Sequence, residues 1–422
     1  MIALPTSLLV GIDVSRDRHH VAFTDGTATE RWGQLTVPND AGGALQLAQA
    51  IGDQATQHGC DAVRIGCEAT GVYAWHLALW LSQATDPPRR WEVYLLQPRT
   101  VRRYVASFPS KRAKTDRQDP WRIAEVLSHD AWLPRPFQIA ERTIALQRLT
   151  RHRHHLVRQL TRLKNYAASY LFLKANGLVC HPPWSDPWGA AAEAVLLEYQ
   201  TVEDLAAAPL ADLVTCLQQG ARGHLADPER VARAVQQAAR NSFRLPEVLK
   251  EPVHQILSWT LQDIRYLEAQ IRAVDRRIAR EPAARNNRLV TISGIGPVFA
   301  AGIVAEIGDI TAFPDDDQLA QFAGLTWPPR DSGQYHATDT ALARTGNVYL
   351  RYYLIEAANS VRRHDATYAA YYARKVAEGT QHAHRRALVL TARKLTRLVF
   401  ALLRDDRAYD PTHRSVRPGS HR

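Results

Sequence analysis

Cysteine is scarce in this chain and scattered. The four cysteines in 422 residues, Cys60, Cys67, Cys180 and Cys216, form no close pair and none of the spacings of a zinc site. A reduced, cytoplasmic setting fits them best. Long hydrophobic runs are also missing: no stretch has the uninterrupted apolar length of a membrane-spanning helix, so no membrane partner is expected. The short apolar run near the N-terminus leads into Asp13 and a basic segment rather than a small-residue cleavage site, which argues against a signal peptide. No P-loop pattern occurs, and no histidine motif has a recognised catalytic spacing. Acids are in deficit. Against 53 Lys and Arg stand 42 Asp and Glu, a formal charge of +11. Such an excess favours a polyanionic partner, of which nucleic acid is the commonest.

What is present is a packed chain with 45 % hydrophobic residues, long enough for two or three domains. Leu8 to Val14, His20 to Thr24 and Trp32 to Val37 have the pattern of three short strands. Asn39 or Asp40 caps a helix running to about Gln57. Ala62 to Cys67 predicts a fourth strand, Val72 to Ser82 a helix, Trp91 to Leu96 a fifth strand, and Asp119 to Ser128 a further helix. This succession is that of an RNase H-like fold, a central sheet covered by helices.

Four acids fall within that region: Asp13 and Glu68 at the ends of strands one and four, then Asp116 and Asp119. Carboxylates at the ends of hydrophobic strands are costly to bury unless something positive neutralises them, and hard divalent cations take oxygen ligands of this kind. Pro120 disfavours helical geometry at Asp119, so Asp119 is expected as the N-cap with Pro120 as the first helical residue. Lys111, Arg112 and Lys114 stand close by in sequence to meet phosphate.

From Ile144 the pattern becomes helical. Leu149, Leu156, Leu160, Leu163 and Tyr170 repeat at heptad-like spacing, as do Ile264, Leu267, Ile271, Val274 and Ile278. The first run is crowded with cations, among them Arg151, Arg158 and Arg162. Two arms of an antiparallel coiled coil are expected, with a helical insertion at about 176–246; an ordinary helical-bundle core explains the leucines nearly as well. Of His152, His154 and His155, positions two apart on a helix face different ways, so a solvated basic face is a stronger reading than a metal site.

Three domains follow: residues 1–130, 131–286 and a mainly helical 287–410, with a basic tail at 411–422. In the third, Ser293-Gly294-Ile295-Gly296-Pro297 opens an apolar helix; it fails as a dinucleotide fingerprint and fits a helix-hairpin-helix turn, where Gly294 and Gly296 would let backbone approach phosphate. Asp331-Ser332-Gly333 lies in a polar loop, and Arg344 and Arg351 beyond it have the planar guanidinium groups of a phosphate clamp.

Together these motifs resemble one group of bacterial DEDD transposases, the insertion sequence 110 family. Gly11-Ile12-Asp13-Val14-Ser15, Glu68-Ala69-Thr70-Gly71 and Lys114-Thr115-Asp116-x-x-Asp119 carry the resemblance in the N-terminal part. Gly294-Ile295-Gly296-Pro297, Glu306-Ile307-Gly308-Asp309, Phe313, Phe322-Ala323-Gly324-Leu325, Ser332-Gly333, Gly346-Asn347 and Leu350-Arg351 carry it in the C-terminal part. Two departures stand out: Pro120, where the family usually has a small helix-forming residue, and a middle segment longer than the simplest members require.

The resemblance implies a RuvC-like domain, a coiled-coil domain and a transposase domain. It implies that Asp13, Glu68, Asp116 and Asp119 are Mg²⁺ ligands and that Ser332 forms a covalent phosphoserine with DNA, at a site shared between two domain types. A bridge-type non-coding RNA pairing with donor and target DNA, and a homodimer assembling to a tetramer at the bacterial nucleoid, are implied likewise. The basic arms would then grip nucleic-acid backbone. Two other classes remain open from the residues: a metal-dependent nuclease or Holliday-junction resolvase in which water attacks, and an RNA- or DNA-binding scaffold without activity.

Overall fold

The computed structural model describes residues 7–69, 71–84, 89–107, 119–137, 141–327, 331–332, 335–336, 342–343 and 345–411. They belong to two compact units, Met1–Ala140 and Glu141–Arg422.

The first unit is built on five strands: β1 (Ser7–Val14), β2 (Arg18–Asp25), β3 (Arg31–Pro38), β4 (Ala62–Glu68) and β5 (Arg90–Leu96). Four helices accompany them, α1 (Ala41–Gln57), α2 (Tyr73–Gln83), α3 (Pro98–Ala106) and α4 (Asp119–Leu127). The strand order is β3-β2-β1-β4-β5, with β1 antiparallel to β2 and parallel to β4. Side chains alternate between the faces of a strand. Leu8, Val10 and Ile12 of β1 pack with Val63, Ile65 and Cys67 of β4 against Leu47 and Ile51 of α1 and Leu77 and Leu81 of α2. Leu9 faces the other way, against Ile123, Ala124 and Leu127 of α4. Asp40 caps α1 as expected, accepting from the Gly43 amide at 2.8 Å.

Two glycines bring α4 onto the sheet. A Cβ on Gly11 would stand 2.0 Å from the Pro120 carbonyl oxygen and 2.6 Å from the Ala124 nitrogen, and one on Gly66 would meet Leu127 and Ile123 at 3.0–3.1 Å. Gly11 thus admits the first turn of α4 to within backbone contact of β1. Among the described residues α4 runs from Asp119, with Pro120 in its first turn. A proline is tolerated there because the first amides of a helix have no intrahelical acceptor.

The second unit is helical among its described residues apart from a two-stranded ribbon, β6 (Asp331–Ser332) and β7 (Tyr335–His336). Its frame is two long helices, α5 (Glu141–Cys180) and α10 (Glu247–Ala279). Leu156 of α5 packs with Leu267 and Ile271 of α10. Arg153 pairs with Asp275 at 2.5 Å and Lys164 with Glu268 at 2.8 Å, which fixes an antiparallel register. Between them lie α6 (Ala190–Glu198), α7 (Val202–Ala207), α8 (Leu210–Gly220) and α9 (Pro228–Arg240). These pack around Leu171 and Leu178 at the far end of α5 and Leu257 and Leu261 on α10. Lys174 is buried there; its ammonium donates to the carbonyls of Leu196 and Tyr199 and meets His254 Nδ1 at 2.9 Å.

The remainder comprises α11 (Pro282–Arg285), α12 (Pro297–Ile307), α13 (Asp316–Ala323), α14 (Val348–His364), α15 (Ala366–Ala377) and α16 (Ala383–Arg404). Tyr353 of α14 is fully buried and donates to the Thr150 carbonyl of α5 at 2.7 Å, fastening this bundle to the long helices. No described helix is long and apolar enough to cross a membrane.

Candidate active site and its supports

In the first unit, Ile12 of β1 is registered with Cys67 of β4, and Asp13 and Glu68 follow one residue further along each strand. Both acids succeed the glycines that face α4, by alternation, so they stand side by side on the face that α4 covers. Asp119 begins that helix. Three of the four expected acids thus belong to one face and one helix start. Asp116 lies outside the described residues, as do Lys111, Arg112 and Lys114.

Asp13 and Glu68 are half-buried, as is Asp119, whose carboxylate accepts from Arg122 Nη1 at 2.9 Å. Arg122 is nearly buried within α4, a counter-charge built into the turn that carries the acid. His20 on β2 pairs directly with Asp13 across the antiparallel ladder, and its Nδ1 lies 3.0 Å from Thr36 Oγ1 on β3. A row Glu68–Asp13–His20–Thr36 therefore crosses four neighbouring strands on one face. Sequence reasoning missed His20 and Arg122; only the register and the helical i, i+3 spacing disclose them.

Carboxylate oxygens on adjacent strand ends are the donors a hard divalent cation takes, so this donor set fits such an ion. Among the described residues no three ligand-type side chains converge. A third ligand would have to come from Asp119, by turning away from Arg122, or from Asp116.

In the second unit Ser332 lies on β6, registered with Tyr335 of β7. The segment that carries it departs after Leu325 and returns at Asn347, and its stem is closed by backbone hydrogen bonds: Ala343 N to Thr326 O at 2.8 Å and Asn347 N to Phe322 O at 2.6 Å. Gly324 ends α13 in the left-handed region, with φ +69°, and Gly346 has φ +107°. A Cβ on Gly346 would stand 2.6 Å from the Gly324 nitrogen, so the two glycines permit the stem to close.

Asn347 anchors the returning end. Its Oδ1 accepts from the amides of Tyr349 and Leu350, capping α14, and its Nδ2 donates to Glu306 at 2.8 Å. The Glu306 side chain is completely buried in α12 and receives both Nε and Nη2 of Arg151 from α5, at 2.8 and 2.9 Å. That hydrogen-bonded carboxylate raises Arg151 above its ordinary value. Glu306 entered the sequence analysis only as part of a motif; a lone acid in the apolar run Val298 to Ile307 is the signal that a buried partner must exist.

Arg344 lies outside the described residues. Arg351 directs Nη1 toward the carbonyls of Thr345, Ala323 and Gly324, at 3.3–3.5 Å, and braces the stem. Gly294, at φ +97°, packs against the backbone of Val361, whereas Gly296 is exposed at the N-cap of α12 with nothing near its missing Cβ. A single 3-10 turn, Arg288–Thr291, precedes them.

Arg151, Arg158 and Arg162 share one face of α5 with His154 and His155, and together with Tyr349 they line a cavity of about 270 Å³. His154 packs edge-on against Tyr349 and Tyr352. Burial, and then the Arg158 and His155 charges, lower its pKa.

Comparison with known proteins gives this arrangement a relationship. A transposase family model, the DEDD transposases of IS110, matches residues 10–173, and a second, the transposases of the IS116/IS110/IS902 family, matches residues 286–373. The chain is 28 % identical to an insertion element IS116 protein of Streptomyces clavuligerus, over 95 % of this chain and 96 % of that protein. An insertion element IS900 protein of Mycobacterium paratuberculosis is 26 % identical over the same shares. A pilin gene-inverting protein of Moraxella bovis is 26 % identical over 38 % of this chain and 48 % of its own length. Two family models in the same order, covering the strand-end acids and the serine-bearing segment, together with relatives matched from end to end, show that the chain belongs to the IS110 family of transposases.

Proposed function

We propose that this transposase cuts and rejoins donor and target DNA through Ser332, with Asp13, Glu68, Asp116 and Asp119 as the carboxylates of a Mg²⁺ site. The observation that carries the metal half is the placing of Asp13 and Glu68 on neighbouring strand ends, on the face covered by the helix that Asp119 opens. In this reading the serine oxygen forms a bond to phosphorus as one phosphorus–oxygen bond to deoxyribose breaks. The serine proton is released and the departing oxygen is protonated. Attack of a free strand end on the phosphoserine reverses those bonds and restores a diester without ATP. A bound Mg²⁺ would polarise the phosphate and assist ionisation of the serine hydroxyl, in place of a histidine base.

A RuvC-like first domain, an antiparallel coiled coil formed by α5 and α10, and a transposase domain from about residue 287 make up the proposed architecture. A structured RNA would select both DNA partners, and a homodimer would pair into a tetramer. The antiparallel helix pair and the stitched serine segment support this reading. Denaturing gels of Ser332→Ala on labelled DNA test it. Loss of the protein–DNA adduct with Mn²⁺ binding intact is expected; unchanged cleavage would instead make the protein a hydrolytic nuclease with Ser332 as a turn residue. Sequencing the RNA that co-purifies with the protein tests guidance, and a nuclease-treated preparation that still chooses its target would overturn it.

A further inference from the structure

We infer that the cavity on the middle stretch of α5 is a seat for a phosphodiester of a nucleic-acid strand, beside the stem of the serine-bearing segment. Five of its lining side chains, Arg151, His154, His155, Arg158 and Arg162, recur at three- and four-residue intervals and so share one helix face. Gln159 of the same helix also lines it, and the seventh lining residue, Tyr349, comes from the first turn of α14, two residues beyond Asn347. No carboxylate lines the cavity.

The cations divide into two kinds. Arg151 is fixed from behind by Glu306, and its guanidinium lies over the Tyr349 ring at 4.6 Å, so these two side chains form a preset wall. Arg158 and Arg162 are exposed, one helical turn apart, and enter no ion pair or hydrogen bond with the described residues. Arg153, Lys164 and Arg265 on the long helices are answered by Asp275, Glu268 and Glu193. Arg142, Arg272 and Arg276, like Arg158 and Arg162, have no ion pair among the described residues, but they do not line this cavity. Two unanswered guanidinium groups at the mouth of a carboxylate-free cavity therefore call for an anion from outside. Arginine at such spacing offers planar, two-point contacts to phosphate oxygens. A volume of about 270 Å³ takes a phosphate with part of its sugar, and the Tyr349 and His154 rings offer that sugar or its base an edge to pack on.

The inference rests on the protein acting on nucleic acid and is independent of Ser332 being the nucleophile. Its test uses the full chain. Affinities of wild type and of the double variant Arg158→Gln/Arg162→Gln are measured by fluorescence anisotropy across a salt series, with single-stranded DNA, duplex DNA and an RNA hairpin as probes. Each phosphate contact contributes roughly 0.7–0.9 to the slope of log affinity against log salt. The double variant is expected to bind at least one probe about tenfold or more weakly, with the slope reduced by roughly one to two. The probe that weakens names the source of the phosphate, DNA or RNA. Arg233→Gln on α9, where Arg233 is paired with Glu229, serves as the control that must not move. Unchanged affinity and slope for all three probes would overturn the seat. Ser332→Ala separates the two readings: if it keeps full binding while the double variant loses it, the seat stands whatever becomes of the serine.

Discussion

Replacing Arg151 by Met would leave the Glu306 carboxylate with no cation. Its side chain has no solvent exposure, and among the described residues only the neutral donors Asn347 Nδ2, at 2.8 Å, and Gln147 Nε2, at 3.4 Å, would remain. Breaking a buried ion pair from one side costs about 3–5 kcal/mol, because an uncompensated charge stays behind. For a unit of this size each kcal/mol lowers the melting temperature by roughly 2–4 °C, so a fall of about 6–20 °C is expected. The converse change, Glu306→Gln, strands an arginine that is one-third exposed and reaches water, and should cost clearly less. The asymmetry is therefore the test. Calorimetric melts of Arg151→Met, Glu306→Gln and the double variant would show the first as the least stable, and the double variant would recover part of the loss. Two equally mild single variants, each under about 1 kcal/mol, would match an exposed pair and refute a buried charge at Glu306. Because Asn347 links Glu306 to the returning end of the serine segment, DNA joining should decline with the same ranking.

Four further outcomes follow from the same geometry. Gly11→Ala drives a methyl group into the Pro120 carbonyl; overpacking of this kind costs about 1–3 kcal/mol, and Mn²⁺ titration should show weaker metal binding as α4 is displaced. Asp13→Asn should reduce metal-dependent DNA joining about a hundredfold or more while leaving the melting temperature near wild type, and undiminished recombination would contradict the metal site. Asn347→Ala removes the cap of α14 and should lower stability by about 1–2 kcal/mol in urea titrations, with joining activity falling as the stem loosens. Burial pushes Lys174 down from 10.5 to about 7. Between those values the unfolded chain binds the extra proton, so stability rises with pH across that window and the destabilisation is full below it. Melts at pH 7 and 9.5 should show this rise in wild type, and Lys174→Met should flatten it.

The strands of the first unit were legible because each is a short apolar run bounded by turn residues, and all five lie within two residues of their expected limits. That β1 and β4 are neighbours follows from their place in the succession of elements, which is why Asp13 and Glu68 were foreseeable together. Helix α3 was not. Its nine residues include three arginines and bury only Val101 and Tyr104, too few apolar positions to announce a periodicity. In the second unit the two heptad runs correctly disclosed a packed pair of long helices. Their partners across the fold were hidden, since Arg151 and Glu306 are far apart in sequence and neither residue type names the other.

The paired glycines show where legibility ends. Gly324 and Gly346 were visible as parts of motifs, but a motif gives no reason for its residues. The reason is that the chain reverses at both positions with positive φ, and that their backbones meet without room for a Cβ on Gly346. Between them lies the segment of Ser332, while Asn347 and Arg351 hold the closed stem against α12 and α13. The arrangement distributes the work of one proposed chemical residue over a buried acid, a capping amide and two backbone conformations. An activity lost on mutating any of these is therefore weak evidence for contact with DNA, whereas Arg158 and Arg162, exposed and without partners among the described residues, have no such structural duty. A selective loss of nucleic-acid affinity at those two positions, with melting unchanged, is the result that would distinguish grip from scaffold.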